Sequence, residues 1–380
     1  MVGLKIRTEK KRSQYEIAIG PGILSRTGEI LQDAFKGSDS RIALISNRRV
    51  FSLFGDQVVR SLEDEGFQVL TLAIGDGEAF KSWQTTEKVL AFLLRAGFDR
   101  SDQVVSLGGG VVGDLAGFAA SIYMRGINFA QIPTTLLSQV DASVGGKTGV
   151  NSPTGKNVIG SFHQPRAVII DPETLITLPS RELSAGWYET IKHGAISGKK
   201  LFNQTTQFLR EFSSPSQLRS QECANLIRAH VAFKGSVVSA DEREAVTRKD
   251  NRSRKILNFG HTVAHALESI TEYKRFRHGE AVGHGILAAG AISKNLGLLD
   301  SSELELLRDG VRLCGTLPSA SDVKSSAIIR AIAGDKKRVS GSVQWVLLER
   351  IGRPKLIDAR EISPALLKES LSEALKGKVK

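Results

Sequence analysis

The chain has 380 residues but only two cysteines, and aromatic side chains make up just 6% of it. Cys223 and Cys314 fall in helix-patterned segments without the spacing of a disulfide framework or a thiolate metal site. They read as small core residues in a reducing compartment. No apolar run approaches the roughly 20 residues needed to cross a bilayer, and the first residues, Met1 to Arg7, lack the hydrophobic stretch of a secretory leader. The expectation is a cytoplasmic protein with no membrane partner. Internal repeats and low-complexity linkers are also missing, so the parts of the chain should pack directly on one another around a cleft. The formal charge is +12, yet the basic residues are scattered and few aromatics accompany them. That argues against a nucleic-acid surface and suits a small substrate with several negative charges.

What is present is sharpest at Leu107-Gly-Gly-Gly-Val-Val-Gly-Asp114. The apolar run Gln103 to Leu107 reads as a buried strand and Leu115 to Ala120 as a helix, so the glycines form a strand-loop-helix turn. Without Cβ atoms the loop lets a phosphate approach the backbone amides and the helix N-terminus. Gly108, Gly110 and Gly113 also satisfy the dinucleotide spacing Gly-x-Gly-x-x-Gly, a weak match that a tight packing turn would satisfy equally well.

Length alone favours two domains. Up to about residue 175, strand patterns (Arg41–Ser46, Gln68–Ala73, Gln103–Leu107, Asn128–Ile132) alternate with helical ones (Val50–Glu65, Ser82–Ala96). This predicts parallel strands with crossover helices and a ligand beyond the strands' carboxyl ends. From Pro179 onward helical periodicity dominates, over Glu182–Arg210, Gln217–Ser239, Ile256–Ile270 and Ala281–Leu296. The strand-like run Ser342–Leu348 either returns to the first domain or forms a hairpin within the second.

His261 and His265 are four residues apart and share a helix face, with Asn258 one turn earlier; His278 opens the next apolar helix, and Glu189 shares a helix face with Lys192. Two histidines and one carboxylate leave an open position, the arrangement of a catalytic rather than a structural zinc. Glu does not follow His261, which disfavours the zinc-protease pattern. Gly146-Lys147-Thr148 looks like the end of a P-loop, but Asp141 stands where that motif needs glycine. We expect instead an active-site loop placing Asp141, Lys147, Lys156 and Asn157 around an anionic ligand.

These pieces, in this order, resemble the 3-dehydroquinate synthase family. The matching segments are Asp76-Gly-Glu-x-x-Lys81, Gly108 to Asp114, Tyr123-Met-Arg-Gly126, Pro133-Thr-Thr-Leu-Leu137, Gln139 to Gly149, Gly155-Lys-Asn157, Glu189-x-Ile-Lys192, Asp241-Glu-Arg-Glu244, Leu257-Asn-x-Gly-His-Thr262 and His278-Gly-Glu-Ala-Val282. The resemblance implies an α/β Rossmann-like domain with a parallel sheet (residues 1–178) that binds NAD, and a mostly α-helical domain (179–380) that binds metal and substrate. It implies one divalent metal, zinc or cobalt, on Glu189, His261 and His278, and NAD on Asp76, Gly77, Glu78, Lys81, Gly110, Val111, Val112, Gly113, Asp114, Thr134, Thr135, Lys156, Thr174 and Thr177. Substrate falls to Arg125, Asp141, Lys147, Asn157, Lys192, Lys234, Arg254, Asn258, His265, Lys336 and Lys337. His265, Glu244 and Lys192 are the implied catalytic groups, and Arg125 is expected to reach the neighbouring site of a homodimer. The implied reaction turns a heptulosonate phosphate, which bears a phosphate and a carboxylate, into a carbocycle by transient oxidation and phosphate elimination.

Some positions depart from the family pattern. Ala245 to Ser253 is longer and more charged than the usual link, so Arg252 competes with Arg254 for the arginine role. Trp187 and Tyr188 stand where smaller residues are common, His193 where Tyr is usual, and Ala264 where Gly is. A cyclitol-forming sugar-phosphate cyclase is the nearest rival; Lys147, Lys234 and Arg254, which suit a carboxylate, weigh against it. A metal-dependent polyol or alcohol dehydrogenase is more distant, having no need of so many anion-binding side chains.

Overall fold

The computed structural model describes residues 14–36, 41–153, 155–245, 248, 250, 253–336 and 344–376. Its first part is a six-stranded, all-parallel sheet in the order β1 (Glu16–Ile19), β8 (Ala167–Ile170), β5 (Asn128–Pro133), β4 (Gln103–Gly108), β2 (Arg41–Asn47), β3 (Gln68–Ile74). Side chains alternate across β2: Ile42 and Leu44 join one core, Ala43 and Ile45 the other. The first face is covered by α1 (Thr27–Phe35) and α3 (Asp56–Asp64), the latter entered through the single turn α2 (Arg48–Val50). The second face is covered by α4 (Trp83–Arg95) and α5 (Gly110–Ile122). Both faces being buried explains why β4 reads as a continuous apolar run. From β2 the chain turns outward to β3, then returns to β4 and proceeds the other way to β5. The reversal between β2 and β4 opens a crevice at their carboxyl ends, where ligands bind in such sheets.

The segment expected as an active-site loop is instead an antiparallel hairpin, β6 (Lys147–Ser152) with β7 (Gly155–Phe162), preceded by a π turn over Ser138–Ala142. Its alternation is hidden because Thr148 and Val150 pack inward against α5 while Val158 and Ile159 face outward. The remainder is helical: α6 (Ser180–Ser197), α7 (Lys199–Glu211), α8 (Gln221–Ala240), α9 (His261–Ile270), α10 (His278–Asn295), α11 (Ser301–Leu313), α12 (Ser325–Lys336) and α13 (Pro364–Lys376). The expected run Glu182–Arg210 is thus two helices, broken at Gly198, whose φ of 148° no helix accommodates. The strand-like run near residue 345 is settled as β9 (Gln344–Arg350), which forms a hairpin with β10 (Arg353–Asp358) among the helices. One core unites these helices with Leu136, Val140, Val168 and Ile170 from the sheet half.

Both cysteines are buried; burial pushes the Cys223 thiol up to about 12, and Cys314 donates from Sγ to the Gly310 carbonyl at 3.4 Å. His230 on α8 is fully buried, with Nε2 3.0 Å from the Thr205 hydroxyl, which itself donates to the Leu201 carbonyl. The imidazole is therefore the donor in that contact, and burial holds it neutral, well below its ordinary pKa. The unfolded chain takes up a proton below about pH 6.5 that the fold refuses, so this group withdraws stability as pH falls, by up to about 1.4 kcal/mol per pH unit. Denaturant titrations between pH 7 and 5 should show His230→Gln losing stability less steeply than the wild type; parallel slopes would contradict the assignment.

Candidate active site

Helix α6 is buried from Ala185 to Ile196, and it nevertheless carries Glu189, Lys192 and His193, all at most 1% exposed. Burying such groups is unfavourable unless each is matched. Lys192 Nζ sits 2.5 Å from Glu189 Oε2, but off hydrogen-bond geometry, and neither Glu189 oxygen has a hydrogen-bond donor among the described residues. Oε1 instead faces two histidines, with His278 Nε2 at 3.5 Å and His261 Nε2 at 3.8 Å. One ligand atom from each of the three residues lies within 4.8 Å of the others.

Backbone contacts bring them there. A Cβ at Gly279 would lie 1.9 Å from the carbonyl oxygen of Ala185, one α6 turn before Glu189, so the glycine lets α10 press onto α6 and sets His278 beside that carboxylate. A Cβ at Gly285 would lie 1.9 Å from the Gly260 carbonyl oxygen, and Gly260, at φ 79°, immediately precedes His261. Three helices meet where only hydrogen fits between them.

Each histidine uses its inner nitrogen elsewhere. His261 Nδ1 is 3.2 Å from the Phe259 carbonyl, and His278 Nδ1 is 3.4 Å from Glu268 Oε2, so that both Nε2 atoms face Glu189. Burial, then Lys192 and the neighbouring histidines, hold His261 well below its ordinary pKa. Burial acts the same way on His278, but Glu268 and Glu189 outweigh it and raise the value. Burial would likewise raise Glu268; His278, Lys156 and His265 bring it down to about 2. His265 lies on the same α9 face, its ring 5.4 Å from that of His261 and 6.2 Å from that of His278. Asn258, expected one helical turn before His261, ends a separate 3-10 turn, Arg254–Asn258, and is exposed.

A cationic wall adjoins this cluster. Asp141 accepts Lys234 Nζ at 2.7 Å and lies 3.3 Å from His193 Nε2, while Lys234 also donates to the Asp141 carbonyl at 2.5 Å. Burial would raise the Asp141 carboxyl, yet Lys234 and Lys192 hold it well below the usual range. Arg254 is 3% exposed and donates to the carbonyls of Glu242 and Gly145 at 2.7 and 3.2 Å. Lys147 pairs with Glu244, whose backbone is left-handed at φ 52°. Lys336 ends α12; Lys337 and Arg252 lie outside the described residues.

The residues assigned to nucleotide gather at the sheet's carboxyl edge. Asn47 Nδ2 donates to Asp76 at 3.1 Å, Asn151 Nδ2 donates to Glu78 at 2.7 Å, and Gly77 adopts φ 94°. Gly109 gives α5 no side-chain cap, so the first amides at Gly110, Val111 and Val112 are offered outward, as phosphate sites require. Gly113 and Asp114 continue that helix, and Thr134 and Thr135 follow β5. Lys81 is spent internally, donating to Asp114 at 2.6 Å and Asn157 at 2.5 Å. Thr174 is buried with its hydroxyl bonded to the Asp171 carbonyl and Gln139, and Thr177 Oγ1 donates back to the Thr174 carbonyl. Lys156 points away toward the helical half, 3.1 Å from Glu268. Sequence reasoning missed Asn47, Asn151 and Glu268; Asn47 ends an apolar strand beside the crevice, and Glu268 lies three residues past His265, which are the available signals.

Residues 71–185 match the profile of the 3-dehydroquinate synthase N-terminal region and residues 186–338 that of its C-terminal region. A 3-dehydroquinate synthase from Rippkaea orientalis is 43% identical over 94% of either chain. The chain belongs to the 3-dehydroquinate synthase family. In fold it also superposes on ValA, a 2-epi-5-epi-valiolone synthase from Streptomyces hygroscopicus subsp. jinggangensis solved with NAD+ and Zn2+ (TM-score 0.86, 26% identity, 98% and 99% coverage). A 2-deoxy-scyllo-inosose synthase solved with carbaglucose-6-phosphate, NAD+ and Co2+ superposes at TM-score 0.77 with 26% identity, covering 94% of this chain and 96% of that one. The segments Glu189–Lys192, Leu257–Thr262 and His278–Val282, which carry the resemblance, are those that the glycine contacts pull together.

Because the clash at Gly285 is between backbone atoms, Gly285→Ala should cost about 1–3 kcal/mol and weaken metal retention together. Gly235 on α8 has open space around its would-be Cβ. Gly235→Ala is expected to be neutral or slightly stabilising, and comparison of melting temperatures and bound metal in the two variants checks both.

Proposed function

We propose that the chain is a 3-dehydroquinate synthase, converting 3-deoxy-D-arabino-heptulosonate 7-phosphate to 3-dehydroquinate and phosphate in the shikimate route to aromatic amino acids. The observation carrying this reading is Glu189, His261 and His278 converging beside Lys192, Lys234 and Arg254. The donor set fits a divalent cation: two carboxylate oxygens without hydrogen-bond donors and two presented imidazole nitrogens suit zinc or cobalt. The uncapped α5 terminus and its glycines fit the pyrophosphate of NAD. When bound, NAD accepts a hydride from substrate C5 and the metal acts as a Lewis acid toward the oxygen being oxidised.

The chain's own residues do the rest. Lys192, Lys234 and Arg254, with Lys147, Asn157, Asn258, Lys336 and Lys337, hold a phosphate and a carboxylate, groups needing the positive charge this wall concentrates. Asp141 keeps Lys234 in place. Oxidation at C5 acidifies the adjacent carbon; phosphate leaves by β-elimination, and His265 and Glu244 carry protons at that stage. After the hydride returns, the ring opens and an intramolecular aldol closes the carbocycle. Residues 1–178 serve as the nucleotide-binding domain and 179–380 as the metal- and substrate-binding domain, their enclosure keeping water and escape from the unsaturated ketone.

The fold likeness to the valiolone synthase favours a second reading, a cyclitol-forming cyclase. Incubating the protein with the heptulosonate phosphate, catalytic NAD and zinc should release phosphate together with a carbocyclic acid, whereas turnover only of a sugar phosphate lacking a carboxylate selects the second reading. Chelation should abolish turnover and zinc or cobalt restore it; full activity in chelator rejects the metal assignment.

The active form proposed is a homodimer. Met124 and Arg125 are exposed on left-handed backbone (φ 46° and 67°) just past α5, whose end exposes Ile122, and the hairpin packed on α5 exposes Val158, Ile159 and Phe162, apolar surface that a second copy would cover. If Arg125 serves the partner's site, co-expressing Arg125→Ala with His261→Ala should restore about a quarter of wild-type activity, since half of random dimers then hold one intact site. No recovery places Arg125 in its own subunit. Among the described residues no helix is long and apolar enough to cross a membrane, and the cytoplasm is the proposed location.

A further inference from the structure

Glu268 lies on α9, one turn beyond His265, and is 3% exposed. Its two oxygens face in different directions: Oε2 is 3.4 Å from His278 Nδ1, and Oε1 is 3.1 Å from Lys156 Nζ. Lys156 belongs to β7, in the hairpin that packs on the nucleotide-side helix α5. Its ammonium also lies 4.2 Å over the Tyr273 ring. Tyr273 is held there by consecutive left-handed residues, Glu272 (φ 52°) and Tyr273 (φ 57°), and by its own amide donating to the Glu268 carbonyl at 2.7 Å. A non-glycine pair in that region is uncommon, and here it fixes where the chain leaves α9. Lysine, carboxylate, imidazole and Glu189 thus form one chain of contacts from hairpin to metal cluster.

We propose that Glu268 is the positioning residue that turns His278 toward the metal, with Lys156 the tether that joins this setting to the nucleotide-side hairpin. This rests on the metal site proposed above. A neutral imidazole has one N–H. An acceptor at Nδ1 fixes the proton there and leaves the Nε2 lone pair facing Glu189, as outer-sphere carboxylates do for ligating histidines. Lys156 completes the arrangement by neutralising a carboxylate that would otherwise be buried with one oxygen unmatched. The family resemblance gives Lys156 to NAD. In this structure the same ammonium rests on Glu268 and Tyr273, so nucleotide arriving at the hairpin competes for the cation that steadies the carboxylate. Metal and nucleotide are then coupled through a single side chain, reciprocally.

The test is metal affinity and cobalt spectroscopy, not turnover. Competition with a chromophoric chelator should show Glu268→Gln binding zinc about 10–100-fold more weakly than wild type, with an altered cobalt d–d absorption. Wild-type affinity and an unchanged spectrum overturn the positioning role. Should Glu268→Gln fail to fold, nitrogen-15 NMR of the zinc-loaded wild type decides: an Nδ1–H tautomer at His278 supports the proposal, and Nε2–H overturns it. For the tether, adding NAD to the cobalt protein should shift its spectrum in wild type and not in Lys156→Met; equal shifts overturn it. A wild type that binds no zinc at all defeats the metal reading itself, an outcome distinct from either.

Discussion

A carboxylate without exposed surface needs positive charge and hydrogen-bond donors beside it, and Glu189 has the first without the second: Lys192 stands close but off hydrogen-bond geometry, and on the other side two imidazole Nε2 atoms face it. That mismatch organises the helical half. The proposed divalent cation belongs between the carboxylate and the histidines, and the glycine contacts at 260, 279 and 285 give up packing side chains to set the walls of that space at fixed separations. Lys192 and Lys234 then surround the cluster with charge of the sign that a doubly anionic substrate needs, while Asp141 limits their mutual repulsion.

The sheet half supplies the complementary surface. Its topological reversal places Asp76, the glycine turn and Thr134 along one edge, and the β6–β7 hairpin bridges from that edge to α9. Lys81 and Asn157 tie the hairpin to α5 through Asp114. Several residues that the family resemblance gives to ligands are therefore engaged internally here: Lys81 with Asp114, Lys147 with Glu244, and Lys156 with Glu268, which the resemblance left unassigned. Each pair lets the polar wall keep its charges matched before an anion enters.

The alternation of strands and helices was legible because parallel strands buried on both faces leave apolar runs, and the long helices because the runs Glu182–Arg210, Gln217–Ser239 and Ala281–Leu296 keep a helical period. Motif order pointed to Glu189, His261 and His278, which the fold brings together, but spacing favoured His265 equally with His261. Only the approach of α10 selects which imidazole nitrogens face Glu189. What stayed hidden depends on tertiary context. The hairpin's inward residues are covered by α5, not by its own sequence neighbours, so Gln139–Asn157 looked like a loop. Gly198 interrupts a periodic pattern that continues on both sides, and the 3-10 turn at Arg254–Asn258 has the apolar content of a helix. Glu268 carries no motif at all; its importance lies in which two residues from distant segments come to meet it.

The two thiols add a last consequence. Cys223 and Cys314 are enclosed, their S–H protons are held far more firmly than those of ordinary cysteine, and the chain has no others. Peroxide and alkylating reagents attack the thiolate, so the two cysteines are closed to thiol chemistry, and among the described residues the exposed Met124 thioether is the sulfur that an oxidant reaches.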